Sequence, residues 1–444
     1  MISDGHSHDC DLAVIGAGSG GYAAARTAAA AGLRTVVIEG GDEVGGLCIL
    51  RGCMPTKALL YAAEVIHLAR HAPTWGVHVP GVTFDFQQVM ARKNAMIGEF
   101  ADYRRQQLTG GRFQFVRARA RFLDPHAVEL SNGSRLTAAH FVISTGSVVS
   151  PPPLPQLEAV GYLTSDDVLR LSHPPKSLIV LGGGAVAIEL AQFLRRFDVE
   201  VTLVQRSPHI VRDFDTDAAT TLETVFRREG MTVYTATKLT DAWRSNGKKG
   251  VAFEQDGRLI RVEADEILLA LGRAPNISSL QLDHAGVTTE KGRIVTDAHM
   301  RTSAPHIYAA GDCTGPHEIV HIAIQQGEIA AHNIARPEHP RTIDYRLLTA
   351  VVFTEPQVAV VGLTEKEASA KGIPYRAASY PFSDHGKSLI MEAKDGFVKL
   401  LAHPTTGEIL GGCCVGPLGG ELIHEIIAAM HKRMTVRELA AMPH

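Results

Sequence analysis

Residues 11–21 read DLAVIGAGSGG, a short apolar strand that runs directly into a glycine-rich turn. An alanine-rich helix follows to about residue 31, and a second apolar strand, residues 35–38, ends at Glu39. In a βαβ unit of this kind, Gly16, Gly18 and Gly21 permit a tight turn and the close approach of a pyrophosphate, while the terminal acid binds a ribose. The strand, the helix and the acid together predict a dinucleotide-binding domain, which the glycines alone would not.

The same pattern returns at residues 177–204, where the strand SLIVL leads into GGGAVAIE, a helix and another strand. Gly182, Gly184 and Ala187 supply the small residues of this second turn. Two such units in one chain predict two dinucleotides, one held and one exchanged.

The second unit differs from the first where the ribose would bind. Gln205 stands as far behind the first glycine of its turn as Glu39 does in the first unit, so the acid is absent. Arg206 follows at once and Arg212 a little later. An acid would repel a 2′-phosphate, whereas arginines would bind one, which favours NADP(H) over NAD(H). The alternative is that both arginines are solvated surface residues.

Residues 45–57 read GGLCILRGCMPTK and contain a pair of cysteines framed by glycines. In a regular helix Cys48 and Cys53 would lie roughly 7.5 Å apart on different faces, whereas a disulfide needs Cα atoms within roughly 4.4–6.8 Å. The glycines at 45, 46 and 52 permit the bend that would close the pair. Pro55 suits the first turn of a following helix, and helix amides with Lys57 would favour a thiolate. The stretch therefore predicts a reducible disulfide.

Two plainer interpretations of this pair are small buried cysteines or half of a zinc site. Zinc ligands usually come as closer cysteine spacings with a second pair of Cys or His, and no second pair follows here. No metal site is predicted.

Composition limits the remaining classes of function. A hydrophobic fraction of 45% with a charged fraction of 20% is typical of a globular protein, and the net charge of −3 argues against nucleic-acid and membrane partners. Six cysteines in 444 residues are no secreted disulfide scaffold. The polar start lacks the features of a signal peptide, and no apolar run suffices for a membrane span. We expect a cytoplasmic protein.

These features together resemble the flavin-dependent pyridine nucleotide:disulfide oxidoreductases with a redox cysteine pair, which include dihydrolipoyl dehydrogenase, glutathione reductase and mercuric reductase. The resemblance covers essentially the whole chain. It rests on GxGxxG at 16–21, CxxxxC with PTK at 48–57, TG at 145–146, the second glycine motif with Glu189, GRxPN at 272–276 and GD at 311–312.

The resemblance implies an α/β fold with two Rossmann-like dinucleotide-binding domains and a C-terminal α+β dimerisation domain. Residues 1–150 would begin the FAD domain, 151–272 would form the NAD(P) domain, 273–340 would complete the FAD and central part, and 341–444 would form a homodimer interface. A proline-rich run at 151–155 suits the first boundary.

The resemblance also implies roles for single residues. Cys53 would lie beside the flavin and Cys48 would exchange with substrate, while Lys57 and Glu189 would pair near flavin and nicotinamide. Glu39 would bind the adenosine ribose of FAD and Asp312 its ribityl chain. The other implied cofactor-binding positions are Gly46, Thr145, Gly146, Gly311, Gly272 and Arg273. His321 would either contact the flavin from the start of its helix or have no ligand role there. Electrons would pass between nicotinamide, flavin and the Cys48–Cys53 disulfide.

The implied activity is that of an FAD-dependent NAD(P)H:disulfide or dithiol oxidoreductase, similar to dihydrolipoyl dehydrogenase, acting on a small or protein-carried lipoyl-type substrate. Alternatives are an NADPH enzyme similar to mercuric or glutathione reductase, or a catalytically impaired flavin-bearing partner of a thiol carrier. The last rests on the C-terminus. Related chains continue into a His-Pro-Thr…Glu motif that serves the partner subunit's outer cysteine, whereas this sequence ends before it, at His444. Either the sequence is truncated there or the protein lacks this proton-transfer group. His444 is not assigned that role.

Overall fold

The computed structural model describes residues 8–315 and 317–443. These residues form two compact units, each assembled from three stretches of the chain. The first unit takes the described residues of 1–55, 94–150 and 273–343, and the second takes those of 56–93, 151–272 and 344–444. Within the described part of the chain, no helix is both long and apolar enough to cross a membrane.

Up to residue 150 the chain alternates between strands and helices. The strands are β1 (Cys10–Ile15), β2 (Thr35–Glu39), β3 (Gln114–Arg117), β4 (Ala120–Asp124), β5 (Ala127–Leu130), β6 (Arg135–Ile143) and β7 (Ser147–Val149). The helices are α1 (Ser19–Ala30), α2 (Leu47–Leu50), α3 (Cys53–His71) and α4 (Phe86–Thr109). The helix expected to contain Pro55 in its first turn is α3, which begins at Cys53.

The stretch 151–272 repeats the βαβ pattern. Its helices are α5 (Gln156–Val160), α6 (Ser165–Val168), α7 (Ala185–Arg196) and α8 (Thr216–Arg228). Its strands are β8 (Ser177–Leu181), β9 (Glu200–Val204), β10 (Thr232–Tyr234), β11 (Lys238–Ser245), β12 (Lys248–Gln255), β13 (Arg258–Ala264) and β14 (Glu266–Leu269). A parallel sheet has the order β10-β9-β8-β14, and β11, β12 and β13 form a separate antiparallel sheet.

The stretch 273–343 returns to the first unit. It contains β15 (Arg273–Pro275), β16 (Thr289–Glu290), β17 (Arg293–Ile294), β18 (Ile307–Ala309) and α9 (Val320–Ala335). Strand β18 pairs with β6 and extends a parallel sheet of order β3-β2-β1-β6-β18. Because β1 lies between two neighbours and is covered on both faces, its residues from Leu12 to Val14 are fully buried.

The C-terminal stretch is built differently, around an antiparallel sheet of order β19-β20-β23-β22-β21. Its strands are β19 (Thr349–Val352), β20 (Gln357–Gly362), β21 (Arg376–Pro381), β22 (Phe397–Ala402) and β23 (Ile409–Gly416). Its helices are α10 (Glu365–Ala370), α11 (Gly386–Ile390), α12 (Gly419–His431) and α13 (Val436–Ala440). One face of α12 packs on this sheet through Ile423, Ile426 and Met430.

Candidate functional site

The two cysteines of the 45–57 stretch lie at a break between helices. Helix α2 ends at Leu50 and α3 begins at Cys53, so Arg51 and Gly52 form the bend. A Cβ on Gly52 would lie 3.0 Å from the Leu47 carbonyl oxygen and 3.2 Å from the Cys48 Cα, which shows how closely the chain folds back on itself. The bend that a disulfide between Cys48 and Cys53 requires is therefore present.

The same stretch is anchored on the first glycine-rich turn. Gly46, which precedes α2, has φ +78°, and a Cβ there would lie 2.6 Å from the Gly18 Cα. No other residue type allows the two backbones to approach so closely. The fold thus brings the cysteine stretch against the dinucleotide-binding turn.

Burial separates these two cysteines from the other four. Cys48 and Cys53 are half-buried, whereas Cys10, Cys313 and the pair 413–414 are buried. Burial raises the pKa of the Cys10 thiol to about 12 and that of Cys313 to about 11. The thiolate that exchange chemistry needs is therefore disfavoured there, and the accessible thiols are Cys48 and Cys53.

Lys57 and Glu189 form an ion pair within the second unit. The Lys57 ammonium lies 3.0 Å and 2.8 Å from the two carboxylate oxygens of Glu189, whose side chain is only 3% exposed. The Phe353 backbone N–H donates to the same carboxylate at 2.9 Å, and the Phe353 ring lies 4.6 Å from the ammonium. Glu189 is thus a buried, fully engaged carboxylate, and Lys57 stands one helical turn after Cys53 on α3.

The first glycine-rich turn has the geometry that a pyrophosphate needs. Gly16 has φ +103°, and a Cβ there would lie 2.3 Å from the Ser144 carbonyl oxygen. A Cβ on Gly21 would lie 1.9 Å from the Gly16 oxygen, so the helix α1 starts directly on the turn. The Glu39 carboxylate accepts from the Ala17 N–H at 2.9 Å and the Gly41 N–H at 2.6 Å, which holds the turn beside the end of β2.

Several further features of the first unit suit FAD. The Thr145 hydroxyl is buried and has no hydrogen-bond partner among the residues that the structure describes, and a Cβ on Gly146 would meet open space. The Asp312 carboxylate accepts from the Ser147 hydroxyl at 2.6 Å, and Arg273 donates to that hydroxyl at 2.8 Å. The unpaired Thr145 hydroxyl, together with the second oxygen of the Asp312 carboxylate, could bind hydroxyl groups of the ribityl chain.

A cavity of about 610 Å³ lies near the Glu39 end of the sheet and is lined by Asp42, Val44, Phe115 and Arg117, among others. Its mixture of apolar walls and charged edges suits an adenosine. The residues present therefore fit FAD, with Glu39, Thr145 and Asp312 as the groups that would hold it.

The second glycine-rich turn has the same construction. Gly182 has φ +121°, and a Cβ there would lie 2.3 Å from the Ala270 carbonyl oxygen. This is the same distance as that between a Cβ on Gly16 and the Ser144 carbonyl oxygen. Gly184 precedes α7 and is exposed, whereas Ala187 is buried beneath the turn. The turn is therefore open on the side where a second dinucleotide would approach.

The side chains that distinguish the second βαβ motif from the first differ in how far they are exposed. The Gln205 side chain is buried, and its amide bonds within the loop, to the His209 carbonyl at 3.4 Å and the Arg206 N–H at 3.1 Å. Arg206 and Arg212 are exposed, and the Arg212 guanidinium lies 3.5 Å from the Asp213 carboxylate. Arg206 is thus the less compensated cation of the two.

The remaining predicted positions lie at element ends. His321 is exposed at the second residue of α9, Gly311 begins the turn that carries Asp312, and Gly272 is exposed with φ +118° just before Arg273. No pattern in the sequence pointed to Ser147 or to the Phe353 backbone, because both contact partners more than a hundred residues away.

Glu318, close before α9, was also not predicted. Burial, and then the nearby Asp312 carboxylate, raise the pKa of the Glu318 carboxyl, while Arg273 lowers it. The sequence around Glu318 does not show that its carboxyl group is buried near Asp312 and Arg273.

Comparison with known proteins identifies the family. The model described as pyridine nucleotide-disulphide oxidoreductase matches residues 10–327, and the model of its dimerisation domain matches residues 348–444. The dihydrolipoyl dehydrogenase of Chlamydia trachomatis is 36% identical over 440 residues, which cover 96% of this chain and 91% of that protein. The mercuric reductase of Bacillus cereus is 31% identical over 440 residues, covering 99% of this chain and 69% of that protein.

A solved structure agrees with these matches. The crystal structure of LpdA from Mycobacterium tuberculosis has a TM-score of 0.86 and 30% identity, covering 98% of this chain and 96% of that one. The resemblance, the fold class and the class of enzyme expected from the sequence are confirmed. The chain belongs to the pyridine nucleotide-disulphide oxidoreductase family, as a dihydrolipoyl dehydrogenase-like oxidoreductase that uses FAD and a pyridine nucleotide.

Proposed function

We propose that this enzyme couples NAD(P)H to a lipoyl-type dithiol or disulfide, with Cys48 and Cys53 as the exchanging thiols. The observation that carries the proposal is the bend at Gly52, which folds the Cys48 turn back toward the start of α3 while both cysteines stay half-buried. The dihydrolipoyl dehydrogenases among its relatives support a lipoyl-type substrate.

Each residue of this site has a separate task in the proposal. Cys53 begins a 19-residue helix, and the positive end of a helix favours a thiolate at that position. Cys48 precedes the bend and would form the mixed disulfide with substrate. FAD, when bound, supplies two-electron redox chemistry, and Glu39, Thr145 and Asp312 would hold it. Lys57, paired with Glu189, would tune the redox potential of the flavin.

Serine variants test these assignments. Cys48→Ser should lose turnover of lipoamide while Cys53 remains titratable in the reduced protein, and Cys53→Ser should lose turnover as well. Cys413→Ser is the matched control, because its thiol is buried in β23. Steady-state rates and thiol counts by alkylation after two-electron reduction are the measurements. Full lipoamide turnover by Cys48→Ser would refute the exchange role.

We further propose that NADP(H) is preferred over NAD(H). The position equivalent to Glu39 holds the neutral Gln205, and the exposed Arg206 follows it. One charge-assisted hydrogen bond to a 2′-phosphate contributes about 1.5–3 kcal/mol, or about ten- to a hundred-fold in affinity. Arg206→Ala should therefore cost more NADPH efficiency than Arg212→Ala, whose guanidinium is already near Asp213. A higher kcat/KM for NADH in the unmutated enzyme would contradict this preference.

We propose a homodimer formed through residues 341–444 and a cytoplasmic location. The match of residues 348–444 to a dimerisation domain supports the dimer. Sedimentation at micromolar concentration should give twice the chain mass, and a fully active monomer would argue against it.

The low cysteine content supports a reducing compartment, which fractionation of the native cells would check.

A further inference from the structure

The guanidinium of Arg104 carries hydrogen-bond donors that nothing nearby uses. In the described part of the chain, buried side-chain N or O atoms without a hydrogen-bond partner occur in Arg104, at Nε and Nη1, and in Thr145. Thr145 belongs to the candidate FAD site described above, whereas Arg104 lies on α4 and has no role in it. Unpaired buried donors are rare in proteins because each costs free energy, so an acceptor from outside the chain is expected at Arg104.

Each of the buried cations Arg196, Lys249, Lys399 and Lys93 has a hydrogen-bond acceptor, which for Lys93 is the Leu169 carbonyl, whereas two nitrogens of Arg104 have none. Arg196 lies 2.8 Å from Glu229 and 2.7 Å from Glu355, and Lys399 contacts three carboxylates at 2.8–2.9 Å. Arg104 has no carboxylate within ion-pair distance among residues 8–315 and 317–443. It therefore presents an uncompensated positive charge.

The position of this guanidinium is well defined. Its central carbon lies 4.2 Å from the centroid of the Tyr22 ring on α1, within the distance of a cation–π contact. One turn earlier on α4, Ala101 shares a cavity wall with Leu50 of the Cys48 helix. Helix α4 thus runs beside the cysteine stretch within the first unit.

Electrostatics agree with that placement. The Tyr22 N–H donates to the Gly18 carbonyl, and Gly46, two residues before Cys48, packs on Gly18, so a chain of contacts leads from the Arg104 guanidinium to the cysteine stretch. Burial lowers the pKa of Arg104, while Tyr22 and then Cys48 raise it. The other cation that faces it is Arg26, which lowers the pKa of Arg104 further but is itself paired with Glu328.

We propose that Arg104 binds an anionic oxygen of the disulfide substrate beside Cys48, and that the preferred substrates therefore carry a carboxylate or similar group. This inference rests on the proposed function, because it assumes that Cys48 exchanges with a substrate disulfide. Arginine suits the role because its planar, permanently charged group binds carboxylates strongly and directionally. The same chemistry could come from the FAD pyrophosphate, so the experiment must distinguish the two sources.

Lipoate and lipoamide are suitable probes, because they carry the same disulfide and differ only in a carboxylate against a neutral amide. We expect the ratio of kcat/KM for lipoate to kcat/KM for lipoamide to fall by about ten- to a hundred-fold in Arg104→Met. The fall should come mainly from KM for lipoate, and Arg104→Lys should recover part of it. Arg92→Met, an exposed arginine on the same helix, is the control and should keep the ratio.

Two further measurements separate the alternatives. Bound FAD per chain, read from absorbance after desalting, should be the same in Arg104→Met as in the unmutated enzyme, and loss of FAD would overturn the inference in favour of the pyrophosphate. Equal losses for both disulfides would also overturn it, since Arg104 would then act on the Cys48 thiolate. Thermal unfolding should show an unchanged or higher midpoint, because methionine removes the unpaired donors. If the unmutated enzyme reduced neither disulfide, the proposed function itself would fall.

Discussion

The Lys57–Glu189 ion pair allows a quantitative test of how the second unit is held together. Glu189 is 3% exposed in its side chain, whereas Lys57 is 33% exposed, so solvent screens the pair from one side. The carboxylate also accepts from the Phe353 N–H, which stays in place when Lys57 is removed. Three variants follow: Lys57→Met, Glu189→Gln and the double variant.

The expected losses differ because the buried partner differs. Lys57→Met leaves a buried carboxylate without its cation, and losing one partner of a buried pair costs about 3–5 kcal/mol. Because Lys57 is partly exposed, solvent screens its attraction to Glu189, and we expect a loss of stability near the lower end, at about 3 kcal/mol. Glu189→Gln keeps an acceptor for Phe353 and lets Lys57 turn outward, so the loss should be about 1–2 kcal/mol.

The double variant should lose about 1–2 kcal/mol, well below the sum of the two single changes. Unfolding in guanidinium can be followed by tryptophan fluorescence, because both tryptophans of the sequence, Trp75 and Trp243, lie in the same unit as the pair. The unmutated protein and a double variant of an exposed pair, Arg105→Met with Asp102→Asn, serve as references.

Additivity would refute this reasoning. If the losses of the two single variants summed to that of the double variant within about 0.5 kcal/mol, the two side chains would not be coupled. A smaller loss for Lys57→Met than for Glu189→Gln would also be contrary to expectation, because it would mean that the carboxylate is satisfied without its cation.

Three more predictions follow from single contacts. Lys399→Met should lower the free energy of unfolding by about 3 kcal/mol or more in a denaturant titration, because it strands the buried Asp215 carboxylate; a loss below about 1 kcal/mol would contradict the cluster. Burial, and then Arg196, lower the pKa of His67 from 6.5 to about 4, so between those values the unfolded chain binds a proton that the folded protein does not. Stability should fall as the pH falls through this window, and His67→Phe should flatten the measured slope of stability against pH. Glu39→Ala should release FAD on ultrafiltration more readily than the unmutated protein, and equal retention would argue against its role in the FAD site.

Much of the architecture could be predicted because its signals are local. A buried parallel strand needs a continuous apolar run, a tight turn needs glycine, and a helix start tolerates proline, and each of these signals occupies a few adjacent residues. Both βαβ units and the cysteine bend were therefore expected from the sequence and are present. The missing acid at Gln205 could also be seen by aligning one unit on the other.

The contacts that complete the site were decided by tertiary structure. Gly46 packs on Gly18, Phe353 donates to Glu189, and Arg104 stacks on Tyr22, and none of these pairs is close in sequence. A charged residue on an amphipathic helix has the same pattern whether it faces solvent or a tyrosine ring. Which of the two it faces depends on how α4 packs against α1, and residues far apart in the sequence contribute to that packing. The sequence therefore determined which chemical groups the protein has available, and tertiary packing decided that Arg104 has no carboxylate partner among the described residues while Lys57 is paired with Glu189.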